Sequence, residues 1–113
     1  MLKFEYRSPR YPVDLPVALL LNDEESVAGR CMEISSEGMR VEFRRPVAHN
    51  SCGTLRIGRG DSFLEVRARV ARIGDGTDGV KFLFASESQR KAMERLVALT
   101  ATPTAQSGPV LVL

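Results

Sequence analysis

Histidine and cysteine are scarce in this chain of 113 residues, and tryptophan is absent. His49 is the single histidine, and with Cys52 it offers two candidate metal ligands in one loop. A closed metal site needs more ligands than that, so no metal is expected. No third group is evident to orient His49 against Cys52, so we expect no catalytic residues and no enzyme. Cys31 and Cys52 are expected to be free, packed thiols rather than a disulfide framework.

Long apolar runs are also missing. No stretch approaches the ~20 residues of a membrane helix, and the first residues lack a signal-peptide pattern. We therefore expect a cytoplasmic protein without membrane insertion. The hydrophobic fraction of 43% is that of one folded globular domain. A net charge of +2 is too small to indicate a nucleic-acid binder by itself.

The residues that are present are patterned as short strands. Apolar residues alternate, or nearly so, in six segments: 13–21, 26–33, 39–44, 55–57, 64–70 and 80–84. The alternation is poor in segment 26–33, whose two faces stay ambiguous. Turn-forming sequences rich in Gly, Asn and Asp separate several of the segments. The pattern predicts an all-β fold, a small antiparallel barrel or sandwich.

One helix is predicted after the strands. Ser86 and Gln89 form a capping box, and apolar residues follow on one face at helical spacing up to Leu99. We expect this helix to cover the barrel through Met93, Leu96 and Val97, although a partner-binding face remains an alternative. The expected organisation is an N-terminal arm (1–11), a barrel with its helix (12–100) and a flexible tail (101–113).

Two short segments carry the chemistry of the sequence. The first, residues 6–12, holds Arg7 and Arg10 on a Pro-stiffened lead-in to the first strand. The second, residues 33–38, has Glu33 and Ser35 two positions apart, so both project from the same face if the backbone is extended. Gly38 permits a positive φ and the close approach of a ligand. Taken alone, the first segment is more typical of a solvated basic arm, and the second is more typical of an ordinary strand-to-strand turn.

Together the two segments suit an anionic ligand that contains guanine. Arginine forks bind phosphate bidentately and contact guanine edges. A carboxylate accepts hydrogen bonds from the guanine N1–H and amino group, and a serine hydroxyl adds another bond. Thirteen of the 16 basic residues are arginine, a bias that fits this chemistry and fits genomic base composition equally well.

The same residues resemble the PilZ domain family over roughly residues 4–99. That family has an Arg-x-x-x-Arg arm, a strand pair that closes with Asp-x-Ser-x-x-Gly, six barrel strands and a helix. Gly79–Phe82 also looks like a family strand, Gly-hydrophobic-x-Phe. The resemblance implies a six-stranded antiparallel β-barrel with one C-terminal helix, and cyclic di-GMP as ligand with no other cofactor.

Two positions depart from the family pattern. Tyr6 stands where the first arm arginine belongs, with Arg7 one step along, and Glu33 replaces the aspartate. Arg10, Ser35 and Gly38 match. The expected ligand-binding residues are therefore the matching and the departing positions together: Tyr6, Arg7, Arg10, Glu33, Ser35 and Gly38.

Three functional hypotheses follow from the sequence. The leading one is a cyclic di-GMP receptor module that changes its surface on binding and signals to a downstream protein partner. The alternative is a degenerate PilZ-like domain that binds no nucleotide and acts as a protein-interaction module. A nucleic-acid binder would use Arg67, Arg69 and Arg72, but no aromatic residue interrupts that row to stack on bases, so no nucleic acid is expected.

Overall fold

Strands account for most of the computed structural model, which describes residues 9–22, 25–59 and 61–101. The elements are β1 (Tyr11–Leu21), β2 (Ser26–Ile34), β3 (Gly38–Phe43), β4 (Cys52–Arg59), β5 (Ser62–Arg72), β6 (Asp78–Leu83) and α1 (Glu87–Ala101). All six predicted strands and the predicted helix are present. Tyr6 and Arg7 lie outside the described residues.

The strands close into an antiparallel barrel in the order β1-β2-β3-β6-β5-β4. Chain neighbours form four of the ladders, whereas the β1–β4 and β3–β6 ladders join strands distant in sequence. Because the barrel is closed, each of these strands pairs with a neighbour on both sides, and none of them has a free edge. The prediction of a six-stranded all-β barrel with one C-terminal helix is confirmed.

The barrel interior is filled by the apolar side of each strand. Leu19, Val41, Leu55 and Val66 are buried in the centre of the core. The inward face of β2 was hard to predict because Gly29 occupies one inward position, where a Cβ would lie 2.8 Å from the Glu42 carbonyl oxygen. A register shift between Cys31 and Glu33 then breaks the alternation near the end of this strand.

Strand β4 is longer than the sequence indicated. The alternation marked only residues 55–57, but residues 52–54 also pair with β5, and Gly53 pairs with Leu21 of β1. A Cβ on Gly53 would collide with the Leu20 carbonyl oxygen. The glycine therefore marks close packing of two backbones rather than a turn.

Helix α1 begins with the predicted capping interactions. The Gln89 N–H donates to Ser86 Oγ at 3.1 Å, and the Ala85 N–H donates to Gln89 Oε1 at 2.8 Å. Met93 and Val97 are buried in the barrel core, and Leu96 packs at its margin. The helix thus packs against the barrel as predicted. Among the described residues, no helix is long and apolar enough to span a membrane.

Candidate functional site

The turn between β2 and β3 is organised by the side chain of Ser35. Ser35 Oγ accepts the N–H groups of Glu37 and Gly38, both at 3.2 Å. The hydroxyl also donates to the Gly38 carbonyl oxygen at 3.3 Å, and the Ser35 N–H donates to the same oxygen at 2.9 Å. Ser35 is only 8% exposed. Its hydroxyl, predicted to contact a ligand, is therefore engaged by the turn that it shapes.

The turn is fastened to the neighbouring strand β6. The Phe82 N–H donates to the Glu37 carbonyl oxygen at 2.9 Å, and Gly38 is the Cα partner of Lys81. A Cβ on Gly38 would collide with the Val80 carbonyl oxygen. The glycine is needed for this close approach.

Gly38 does not use the positive φ that glycine permits. Within the described residues, the glycines in that region are Gly58 and Gly76. Gly38 is already the first residue of β3, so its backbone pairs with β6 instead of turning. The reason for glycine at this position is close packing against β6 and not backbone handedness.

Arg10 and Glu33, two of the predicted ligand residues, face each other. Arg10 Nη1 lies 3.6 Å from Glu33 Oε1, with the two side chains 51% and 26% exposed. This pair is long and partly hydrated, and exposed pairs of this kind contribute ~0–1 kcal/mol to stability. Arg10 can therefore exchange Glu33 for an anionic ligand at little cost.

An open pocket of about 560 Å³ surrounds these residues on the outside of the barrel. Arg10, Glu33, Ser35 and Gly38 line one side of it. The other side is formed by β3, β5, β6 and the segment between β5 and β6, and its residues include Arg40, Arg72, Gly74, Thr77, Gly79 and Lys81. The volume lies in the ~300–1,000 Å³ range of small-molecule sites.

Positive charge dominates the lining. Four cations, Arg10, Arg40, Arg72 and Lys81, face two carboxylates, Glu33 and Glu37, which leaves a net charge of +2. No metal-binding group of three or more His, Cys, Asp or Glu residues is found among the described residues. The pocket is therefore suited to an anion, with an acid present to accept hydrogen bonds.

Sequence reasoning did not assign Arg40, Arg72 or Lys81 to the site. The alternation of β3 and β6 could have placed Arg40 and Lys81 on the outer face, but not in the same pocket, because the β3–β6 pairing joins distant segments. Arg72 was grouped with Arg67 and Arg69. A register shift between Val70 and Arg72 separates it from them and brings it next to Gly79.

The remaining candidate residues lie elsewhere. Arg67 and Arg69 donate to the side chains of Asn22 and Asn50. His49 Nε2 lies 3.1 Å from the Ala71 carbonyl oxygen. Of the two free cysteines only Cys31 is buried, and burial raises the pKa of its thiol to about 12. His49 and Cys31 therefore lie outside the pocket lining, His49 against a backbone carbonyl and Cys31 in the core.

Comparisons with protein families and with solved structures agree with the barrel fold described above. The model of the family described as PilZ domain matches residues 6–99. The PilZ domain of YcgR from Escherichia coli, solved with c-di-GMP, has a TM-score of 0.75 at 16% identity and covers 90% of this chain and 98% of that chain. The PilZ domain of CeSA from a cellulose-synthesizing bacterium has a TM-score of 0.67 at 24% identity, over 80% and 95%.

A further similar structure is MrkH of K. pneumonia in its apo state, with a TM-score of 0.69 at 11% identity, over 90% of this chain and 53% of that chain. This chain thus spans about half of MrkH, as it spans 47% of the longer YcgR structure in complex with c-di-GMP. No curated protein matches the sequence.

Proposed function

The chain belongs to the PilZ domain family, and on that premise we propose that it is a receptor module for cyclic di-GMP, bound in the outer pocket beside the β2–β3 turn. One observation carries the proposal. Arg10 from the chain before β1 and Glu33, Ser35 and Gly38 from the β2–β3 turn line the same pocket, although 23 positions separate Arg10 from Glu33.

Charge supports this ligand. Cyclic di-GMP carries two phosphodiesters, each with one negative charge, and the pocket lining carries +2. An Arg10 fork that moves from Glu33 to a phosphate exchanges a 3.6 Å contact for a charge-assisted, bidentate one. Glu33, released from Arg10, then accepts the N1–H and amino group of a guanine. Of the two departures from the family pattern, Glu33 keeps the carboxylate that this exchange requires.

Each remaining predicted residue has a separate role in the proposal. Ser35 holds the turn, so that Glu33 and Gly38 keep fixed positions on either side of it. Gly38 leaves the sheet surface bare next to Lys81. Tyr6 and Arg7 are proposed to contact the ligand from the arm. The transfer of Arg10 from Glu33 to the ligand alters the surface at the start of β1, which is the change that a downstream protein partner would detect.

A calorimetric titration tests the proposal, with linear dinucleotide and GTP as control ligands. We expect cyclic di-GMP to bind saturably, and both control ligands to bind much more weakly. Arg10→Ala should weaken it by roughly 10- to 100-fold, since a charge-assisted hydrogen bond is worth ~1.5–3 kcal/mol.

A failure of the wild type to bind would refute the receptor and favour the alternative of a protein-interaction module. In that case Glu33→Asp combined with Tyr6→Arg should create binding, because the double variant restores the family pattern. If the wild type is a receptor adapted to its longer acid, Glu33→Asp alone should weaken binding.

A further inference from the structure

A row of three residues crosses the barrel wall inside the pocket. Gly79 of β6 is the Cα partner of Arg40 on β3 and of Arg72 on β5. Neighbouring strands lie ~4.8 Å apart, so the two arginine backbones stand roughly 10 Å apart across the glycine. Both side chains are exposed, and both line the pocket.

The space between the two arginines holds no side chain from the central strand. Gly79 has none, and Lys81, two residues along, is the next outward position of β6. Neither arginine makes an ion pair or a side-chain hydrogen bond within the described part of the chain, in contrast to Arg30, Arg45 and Arg56, which are paired. The wall thus carries two uncommitted guanidinium forks on either side of bare backbone.

We propose that Arg40 and Arg72 form a second phosphate clamp over Gly79, which binds the phosphodiester that Arg10 does not reach. This inference rests on the proposed function. The sequence gives a reason for such a clamp: Tyr6 stands where the family pattern has its first arm arginine, so that position supplies no guanidinium fork, and Arg7 stands one step along the arm. Guanidinium forks bind phosphate oxygens bidentately, and two of them hold one phosphodiester from opposite sides.

Gly79 is part of the clamp because it lets the phosphate sit against the sheet. The position does not require glycine for the fold. Its φ is outside the positive region, and a Cβ would lie 3.4 Å from Arg72 Cβ, an ordinary contact. Gly79 therefore differs from Gly38, where a side chain would collide with backbone. A side chain at position 79 would fill the clamp while leaving every charge in place.

The test is a set of cyclic di-GMP titrations on the full chain with four variants. Arg40→Gln and Arg72→Gln each remove one fork, and Gly79→Val closes the space between them. Arg44→Gln is the matched control, because it removes the same charge from an exposed position just beyond β3 that does not line the pocket. Thermal melting of each variant checks the fold.

We expect each of Arg40→Gln and Arg72→Gln to weaken binding at least tenfold, and Gly79→Val to do the same with no change of charge. Arg44→Gln should change affinity less than twofold. The losses at Arg40 and Arg72 should shrink as salt is raised, because the wall is open to solvent.

The possible failures are distinguishable. If the wild type binds and Arg10→Ala weakens binding, but Arg40→Gln and Arg72→Gln stay within twofold of the wild type, the clamp is refuted and the receptor stands. Equal losses in Arg44→Gln would also refute it, since general charge would then explain the effect. If the wild type does not bind cyclic di-GMP, the receptor fails and the clamp fails with it. The arginine variants test the proposal even if Gly79→Val unfolds.

Discussion

Replacement of Ser35 by alanine should destabilise the fold as well as the site. The hydroxyl oxygen accepts two backbone N–H groups, those of Glu37 and Gly38, within a residue that is 8% exposed. An unsatisfied buried donor costs ~1–3 kcal/mol. Glu37 is exposed, so water can reach its N–H, and the bond between the Ser35 N–H and the Gly38 carbonyl survives the change. Because water can replace the acceptor for one of the two N–H groups, we expect the cost of a single unsatisfied donor, a loss of about 1–3 kcal/mol in the free energy of unfolding.

Urea denaturation followed by circular dichroism measures this loss. With a urea dependence of ~1–3 kcal/mol per molar for a small domain, the midpoint should fall by roughly 1 M. Ser26→Ala is the matched control, because Ser26 is exposed at the start of β2, and a surface change of this kind stays within ~0.5 kcal/mol.

An unfolding free energy for Ser35→Ala that lies within the range of the Ser26 control would refute the reasoning. The hydroxyl would then be dispensable to the turn, and Ser35 would be better explained as a ligand contact. A clear loss instead means that weaker ligand binding by Ser35→Ala reflects, at least in part, a displaced turn.

Two other predictions concern Gly38 and Cys31. Gly38→Ala should lower the melting temperature strongly, since overpacking costs ~1–3 kcal/mol, whereas Gly79→Ala should leave it nearly unchanged. Equal melting temperatures for the two variants would contradict the packing argument. Burial raises the pKa of the Cys31 thiol to about 12, from an ordinary value of about 8.5. The contribution of this thiol to stability is therefore complete below its ordinary pKa and decreases as the pH rises towards 12, by up to about 1.4 kcal/mol per pH unit. Between pH 9 and 12 the free energy of unfolding should fall more steeply with pH for the wild type than for Cys31→Ala. Parallel curves for the two proteins would contradict the prediction.

Local sequence patterns predicted most of the fold because most strands have one buried and one exposed face. The failures occur where glycine replaces an inward side chain or lets two backbones meet. Gly29 concealed the inward face of β2, and Gly53 made the first part of β4 resemble a loop. In both cases the reason for glycine is close contact with an adjacent strand of the barrel, which a single sequence does not reveal.

Sequence spacing pointed to one side of the pocket lining, because Arg10, Glu33, Ser35 and Gly38 lie in short motifs. Their role in ligand binding stays a prediction. Arg40, Arg72 and Lys81, on the other side of the pocket, are brought together by the β3–β6 and β5–β6 ladders. The register shift that places Arg72 beside Gly79 breaks the two-residue period on which sequence reasoning depends.

The most direct test of the account is a map of ligand-induced shifts in the backbone amide resonances of the ¹⁵N-labelled chain. If cyclic di-GMP binds in the outer pocket, the amides of residues 35–40 and 77–81 should shift in proportion to saturation, and those of α1 should remain unchanged. The absence of shifts, or shifts confined to the β1–β4 side of the barrel, would contradict the assignment of the pocket as the cyclic di-GMP site.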